Sequence, residues 1–192
     1  MTLRMLLLAS VAALLLTLGG CVTAPHQWTA TGDDPYSPPA QGYAVMLPQG
    51  WVEVSSNDYS GTIVSRHGLD LEIIRIIRAN NDKAFPSLKK SAAPDEEPGQ
   101  LADDLIAEIK TESDLTGFQV LTNEPSTLAG KVGIHLVIEF SNSEGVHYRQ
   151  DEYAVCTARG FYVTAYRAPV LHFYDLYHPA FQAMVQSFRF TS

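Results

Sequence analysis

Residues 131–166, KVGIHLVIEFSNSEGVHYRQDEYAVCTARGFYVTAY, decide the fold, because three strand patterns follow one another there. From 134 to 140, large apolar residues alternate with His, Val and Glu, which is typical of a strand with one buried face. Residues 142–145 (Asn-Ser-Glu-Gly) suit a hairpin turn, and strand patterns return over 146–157 and 160–166. Consecutive strands joined by short turns predict an antiparallel meander.

Other strand patterns lie upstream of this meander. The stretch 71–77 (LEIIRII) is dense in isoleucine, which predicts a central strand covered on both faces. Shorter strand patterns occur at 43–47, 51–54 and 62–65. The polar, proline-bearing residues 79–97 are interpreted as a long disordered loop.

Two segments have helical rather than strand periodicity. Between residues 99 and 113, leucine and isoleucine recur at helical spacing and predict an amphipathic helix laid on the sheet. A second apolar stripe over 181–188 predicts a helix with Pro179 in its first turn. Residues 171–177 are then a separate turn or a kinked extension, since the residue before a proline disfavours helix.

Three motifs in this order resemble the PsbP-like superfamily, which includes the extrinsic photosystem subunit PsbP, Mog-type Ran-binding proteins and bacterial PsbP-like lipoproteins. The motifs are Leu47-Pro48-Gln49-Gly50-Trp51, then Leu128-Ala129-Gly130 with Gly133, then Gly160-Phe161-Tyr162-Val163-Thr164 followed by Phe181 and Val185-Gln186-Ser187-Phe188. The resemblance covers about residues 43–190. It implies an α+β protein, an α/β/α sandwich with a central antiparallel sheet flanked by helices. It also implies a role in binding proteins or supporting membrane complexes, and some relatives act as chaperones.

The amino terminus has the pattern of a secretory signal peptide over residues 1–20. Arg4 precedes a short apolar run, which is less than the roughly 20 residues that a membrane-spanning helix needs. Leu18-Gly19-Gly20-Cys21 resembles the bacterial lipobox, which implies cleavage before Cys21 and covalent lipid on its sulfur. Val22 follows in place of the aspartate associated with inner-membrane retention. The pattern therefore predicts a lipid-anchored protein on the periplasmic face of the outer membrane.

The domain organisation follows from proline content. Residues 21–41 contain the cysteine and several prolines, and are interpreted as a flexible tether. An ordered arm, in which Trp28 and Tyr36 dock against the domain, is the alternative. The PsbP-like α/β domain is predicted over residues 42–192.

Charge and cysteine content narrow the function classes. The 13 basic and 21 acidic residues give a net charge of −8, which argues against nucleic-acid binding. The second cysteine, Cys156, lies in a strand pattern and is interpreted as a small buried hydrophobe. No cofactor is predicted beyond the lipid on Cys21.

Two sets of polar residues are candidates for chemistry. The first is His172, Asp175 and His178, but histidines six residues apart diverge by about 120° on a helix, so no metal site is predicted there. The second set lies on the hairpin and is interpreted as a solvated sheet face with cross-strand pairs: His135, Glu139, His147, Arg149 and Asp151.

Aromatic residues near the carboxyl terminus are the candidate contact surface. Tyrosine combines apolar area with a polar tip and is enriched at interfaces. The predicted surface consists of Tyr162, Tyr166, Tyr174 and Tyr177.

The sequence thus predicts a non-catalytic, membrane-anchored module that binds an envelope protein or supports a complex. One alternative is a carrier or chaperone for an apolar ligand or segment, which the aromatic residues suggest. The second alternative is a hydrolase of unknown type, because catalytic groups that meet only in the fold leave no linear motif.

Overall fold

An eight-stranded antiparallel sheet forms the centre of the computed structural model, which describes residues 27–55, 61–111 and 115–191. Its strands are β1 (Gln27–Ala30), β3 (Val52–Ser55), β4 (Thr62–Ser65), β5 (Ile73–Ala79), β6 (Thr116–Leu128), β7 (Lys131–Ser141), β8 (His147–Thr157) and β9 (Gly160–Pro169). Across the sheet they are ordered β1-β3-β4-β5-β9-β8-β7-β6. The remaining elements are helix α1 (Pro98–Ile109), helix α2 (Phe173–Ser187), a 3-10 turn (Asn81–Lys83) and a small sheet of β2 (Tyr43–Ala44) with β10 (Arg189–Phe190). Within the described ranges, neither helix is long and apolar enough to cross a bilayer.

The meander is confirmed as the antiparallel succession β7-β8-β9. Strand β5, which contains the isoleucine-rich stretch, pairs with β4 and β9 and is central, as predicted. Residue 133 must be glycine, because β7 and the neighbouring strand β8 approach each other closely there. A Cβ at this position would lie 2.0 Å from the backbone oxygen of Ala154 on the neighbouring strand.

Side-chain alternation divides the core between the two faces of the sheet. On one face, Val155, Tyr162 and Tyr166 pack with Phe181 and Met184 of helix α2. On the opposite face, a second cluster joins the sheet to helix α1; it includes Leu101, Leu105, Leu136, Ala154 and Phe161. The helices therefore lie on opposite faces, and the α/β/α layer order is confirmed.

The disordered loop predicted over 79–97 is wrong. Phe85 is fully buried against Phe161, with ring centroids 5.2 Å apart. Phe85 also exchanges backbone hydrogen bonds with Lys90, and the amide of Ala92 donates to the carbonyl of Asn81. An ordered loop results because Phe85 and Ala92 complete the core beneath helix α1.

The flexible tether predicted over 21–41 is wrong for its described part, residues 27–41. Strand β1 pairs with β3, and Tyr36 exchanges two backbone hydrogen bonds with Val45. The Tyr36 hydroxyl also donates to the Glu53 carboxylate. These bonds hold the segment on the domain, as the ordered-arm alternative requires. The predicted signal peptide, Cys21 and residues 22–26 lie outside the described residues.

The carboxyl-terminal helix begins at Phe173 rather than near Pro179. Pro179 lies inside the helix, where it cannot donate a hydrogen bond to the carbonyl of Asp175. The sheet stabilises the turns before it, because the Tyr166 hydroxyl contacts the carbonyls of Phe173 and Tyr174 at 3.0 and 3.3 Å. This packing outweighs the helix-breaking tendency of proline.

Candidate functional site

A buried carboxylate connects helix α2 to the meander. The side chain of Asp151, on β8, is only 2% exposed. It accepts hydrogen bonds from His135 Nε2 at 2.9 Å, His178 Nε2 at 2.6 Å and Gln182 Nε2 at 3.0 Å. His135 lies on β7, whereas the other two donors lie on helix α2. One carboxylate therefore joins three separate elements.

The two histidines of this cluster are fixed by further contacts. The Nδ1 atom of His135 lies 3.2 Å from the Glu124 carboxylate, and its ring stacks on Tyr153 with centroids 4.5 Å apart. The ring of His178 stacks on Tyr174 at 5.1 Å. Because both ring nitrogens of His135 face carboxylates, only its protonated form donates to both.

The electrostatics of the cluster follow from these contacts. The hydrogen bond to Asp151 raises the pKa of His135 above its usual value, which outweighs the opposing effect of burial. Burial by itself would raise the pKa of Asp151, but the hydrogen bonds from His135 and His178 outweigh it, so this pKa is lowered. The ion pair is thus favoured near neutral pH and below it. We call Asp151, His135, His178 and Gln182 the Asp151 clamp.

A second polar group lies beside the clamp. Glu139 accepts a hydrogen bond of 2.7 Å from Arg149 Nε and lies 3.1 Å from His147 Nε2. The guanidinium of Arg149 also lies over the Tyr174 ring, 4.8 Å from its centroid. Arg149 and Glu139 are cross-strand partners, as predicted for the hairpin residues. The interpretation of a solvated face is wrong for Asp151, because helix α2 covers it.

The three candidate metal ligands do not converge. His178 is bound to Asp151, Asp175 is 87% exposed with its nearest cation, Arg149, 3.9 Å away, and His172 contacts Phe173. Among the described residues, no group of three His, Cys, Asp or Glu side chains is placed to hold a metal ion.

The predicted contact surface is wrong for most of its members. Tyr162, Tyr166 and Tyr174 are buried in the core between the sheet and helix α2, and Tyr177 is partly buried against Trp51 and His67. Their apolar area is used for folding. Cys156 is buried as predicted, and burial raises the pKa of its thiol to about 11.

The exposed apolar side chains of this region are two leucines that do not belong to the predicted contact surface. Leu171 is 86% exposed and Leu176 is 53% exposed. Leu171 precedes His172, whose φ of 75° and ψ of −49° form a rare, strained γ-turn. The amide of Phe173 closes this turn on the Leu171 carbonyl at 3.0 Å, and the amide of Val170 donates to the His147 carbonyl at 2.9 Å. We call Leu171, His172 and Leu176 the leucine knuckle.

The arrangement has a clear structural consequence. Both ring nitrogens of His135 and the Nε2 atom of His178 are already hydrogen-bonded to carboxylates. The clamp therefore fixes the second and third turns of helix α2 against β7 and β8, and the strained turn before the helix leaves Leu171 exposed. A positive φ at a histidine cannot be inferred from a sequence motif. The exposure of Leu171 was therefore not predicted from the sequence.

No model of a protein family matches the sequence, and neither does any curated protein. Solved structures do match it. Cyanobacterial PsbP (CyanoP) from Synechocystis matches with a TM-score of 0.57 and 16% identity, covering 91% of this chain and 97% of that chain. LpqN of Mycobacterium tuberculosis, described as involved in cell envelope biogenesis, matches with a TM-score of 0.52 and 17% identity, covering 87% and 92%. The Ran-binding protein Mog1p of Saccharomyces cerevisiae matches with a TM-score of 0.52 and 10% identity, covering 85% and 97%. The predicted fold is confirmed: the chain has the PsbP-like α+β fold, a large antiparallel sheet between two helices.

Proposed function

We propose that this protein is a non-catalytic module that binds a protein partner through the leucine knuckle. The observation that carries the proposal is Leu171, which is 86% exposed at the edge of a strained turn. Burying a leucine contributes about 1.5–3 kcal/mol, and a residue in a sparsely populated backbone region costs about 1–3 kcal/mol. The fold thus forgoes stability to hold this side chain in water, and a partner that covers it recovers part of that cost.

The Asp151 clamp supports a docking role. It holds His178 and Gln182 to the sheet, so the turn before them is presented on a rigid base. A preorganised surface loses little conformational entropy when a partner binds. The partner required by this geometry is a protein with an apolar pocket that receives an isolated leucine.

The comparisons are compatible with this role. Mog1p, which has the same fold, is described as a Ran-binding protein, and LpqN is described as involved in cell envelope biogenesis. A shared fold does not transfer a partner, so the proposal rests on the knuckle itself.

We further propose that lipid on Cys21 anchors the module to the outer membrane, on its periplasmic side. Two or more acyl chains anchor a protein stably, and confinement at the membrane raises its effective concentration near partners. We expect Cys21→Ser to abolish incorporation of labelled palmitate and to move the protein out of the membrane fraction. A variant that fractionates with membranes as wild type does, with no palmitate in either protein, would contradict the anchor.

We expect Leu171→Ser to reduce recovery of the partner at least about tenfold in crosslinking and affinity purification from native membranes, as for a typical interface hot spot. Val132→Ser is the matched control, because Val132 is 66% exposed on the distant β6-β7 hairpin. Both variants should melt like wild type, since both side chains are largely in water. Equal partner recovery with Leu171→Ser and wild type would rule out docking at the knuckle.

A further inference from the structure

A cleft of about 440 Å³ lies on the face of the sheet opposite helix α2, between strands β5, β9 and β8 and helix α1. Its volume is within the range of about 300–1,000 Å³ typical of small-molecule sites. Its walls are largely aliphatic and include Ile77, Leu105, Ile109, Val163 and Ala165. The cleft is deepest at Ala165, because this short side chain lies between two longer ones, Arg75 on one neighbouring strand and Glu152 on the other.

The cleft is lined by more positively charged side chains than negatively charged ones. Two carboxylates line it, and both accept hydrogen bonds from within the protein. Glu108 accepts hydrogen bonds from the amides of Ser87 and Leu88 at 3.0 and 3.1 Å, and Glu152 accepts one from Gln150 at 3.1 Å. The Nε atom of Arg75 is buried and has no hydrogen-bond partner among the residues that the structure describes.

A buried guanidinium N–H without a partner is costly, and a ligand acceptor would relieve that cost. Arg78 and Lys83 also line the cleft and add further positive charge, and Lys83 is exposed at the rim. These cations lie beside aliphatic walls in a chain whose net charge is −8. Charge and apolar lining together specify a ligand with an anionic head and an apolar body.

We propose that this cleft binds a long-chain aliphatic carboxylate. The carboxylate accepts hydrogen bonds from the Arg75 guanidinium, a planar donor that suits a carboxylate. The aliphatic chain lies along Ile77, Val163 and Leu105. This site is separate from the leucine knuckle, because the two lie on opposite faces of the sheet.

The test uses the full chain in intact membranes of the expressing cells. The membranes are irradiated with a long-chain carboxylate that carries a diazirine in its aliphatic chain, or with the matching alcohol, and labelled residues are mapped by mass spectrometry. We expect the carboxylate, and much less the alcohol, to label Ile77, Leu105 or Val163. Arg75→Gln should lower this labelling about 10- to 100-fold, as for loss of a charged hydrogen bond. Arg66→Gln, outside the cleft, should leave it unchanged.

A second variant keeps the test decisive if Arg75→Gln proves unstable. Ala165→Leu retains Arg75 but fills the cleft, and should abolish labelling without lowering the melting temperature. Leu171→Ser should not alter labelling, so this result is independent of the protein-docking proposal. Equal labelling by carboxylate and alcohol, labelling that both cleft variants leave unchanged, labels only outside the cleft, or no labelling at all would each overturn the inference.

Discussion

Replacement of Asp151 by alanine should lower the free energy of unfolding by about 3–5 kcal/mol, the typical cost of removing one partner from a buried ion pair. Three donors would lose their common acceptor: His135, His178 and Gln182. Chemical denaturation monitored by circular dichroism measures this change. We expect helix α2 to lose protection from hydrogen exchange more than helix α1 does, since only α2 is attached through the clamp.

The matched control is Asp175→Asn, because Asp175 is 87% exposed and its nearest cation lies 3.9 Å away. This change should cost less than about 1 kcal/mol. Similar destabilisation by the two substitutions would show that the clamp does not stabilise the helix.

The pH dependence of the Asp151→Ala effect gives a further check on the same prediction. The folded-state pKa of Asp151 is lowered, so its contribution is present above the unfolded pKa of about 3.9 and is lost as pH falls through the folded pKa. The folded-state pKa of His135 is raised, so its contribution is fully present below about 6.5 and is lost as pH rises through the folded pKa. The stability difference between wild type and Asp151→Ala should therefore be largest between about pH 4 and 6.5.

Gly133→Ala should have the second large effect, a loss of about 3 kcal/mol or more in the free energy of unfolding. The added Cβ would lie 2.0 Å from the Ala154 oxygen and 2.5 Å from a methyl carbon of Val155. Relief requires β7 and β8 to separate at Ile134 and Ala154, the pair that begins their ladder, and this disrupts the pairing of two strands of the meander.

Gly99→Ala is the control for this substitution. A Cβ at Gly99 would meet nothing within 4 Å, and the residue lies in the first turn of helix α1. Alanine favours helix, so this variant should be as stable as wild type or up to about 1 kcal/mol more stable. Denaturant titration of both variants gives the comparison, and a Gly133→Ala protein as stable as wild type would refute the proposed close approach.

The meander and both helices were predictable because their periodicity reflects burial on one face. Buried and half-buried side chains alternate over residues 134–140, and the isoleucines of β5 identify a strand in the interior of the sheet. The local sequence pattern did not predict the structure of segments whose order depends on tertiary contacts. The proline-bearing loop 79–97 has the composition of a disordered segment, but its buried Phe85 completes a core built by distant residues.

The arrangement of the candidate site also depends on tertiary contacts that the sequence pattern does not reveal. The sequence pointed to the segment containing Tyr174 and Tyr177, but a set of aromatic residues does not say which side of a helix faces the sheet. The structure buries Tyr174 and exposes Leu171 and Leu176 instead. Asp151 and His178 are 27 residues apart in the chain, and only the packing of helix α2 on β8 brings them together.

Docking through the leucine knuckle can be observed directly by site-specific photo-crosslinking in living cells, with a photoreactive amino acid at position 171 of the full chain. Position 132 is the control, because Val132 is also largely exposed and lies on the distant β6-β7 hairpin. We expect a discrete crosslinked protein species from position 171 that is absent from position 132. Crosslinks to the same proteins from both positions, or no protein crosslink from position 171, would contradict docking through the leucine knuckle.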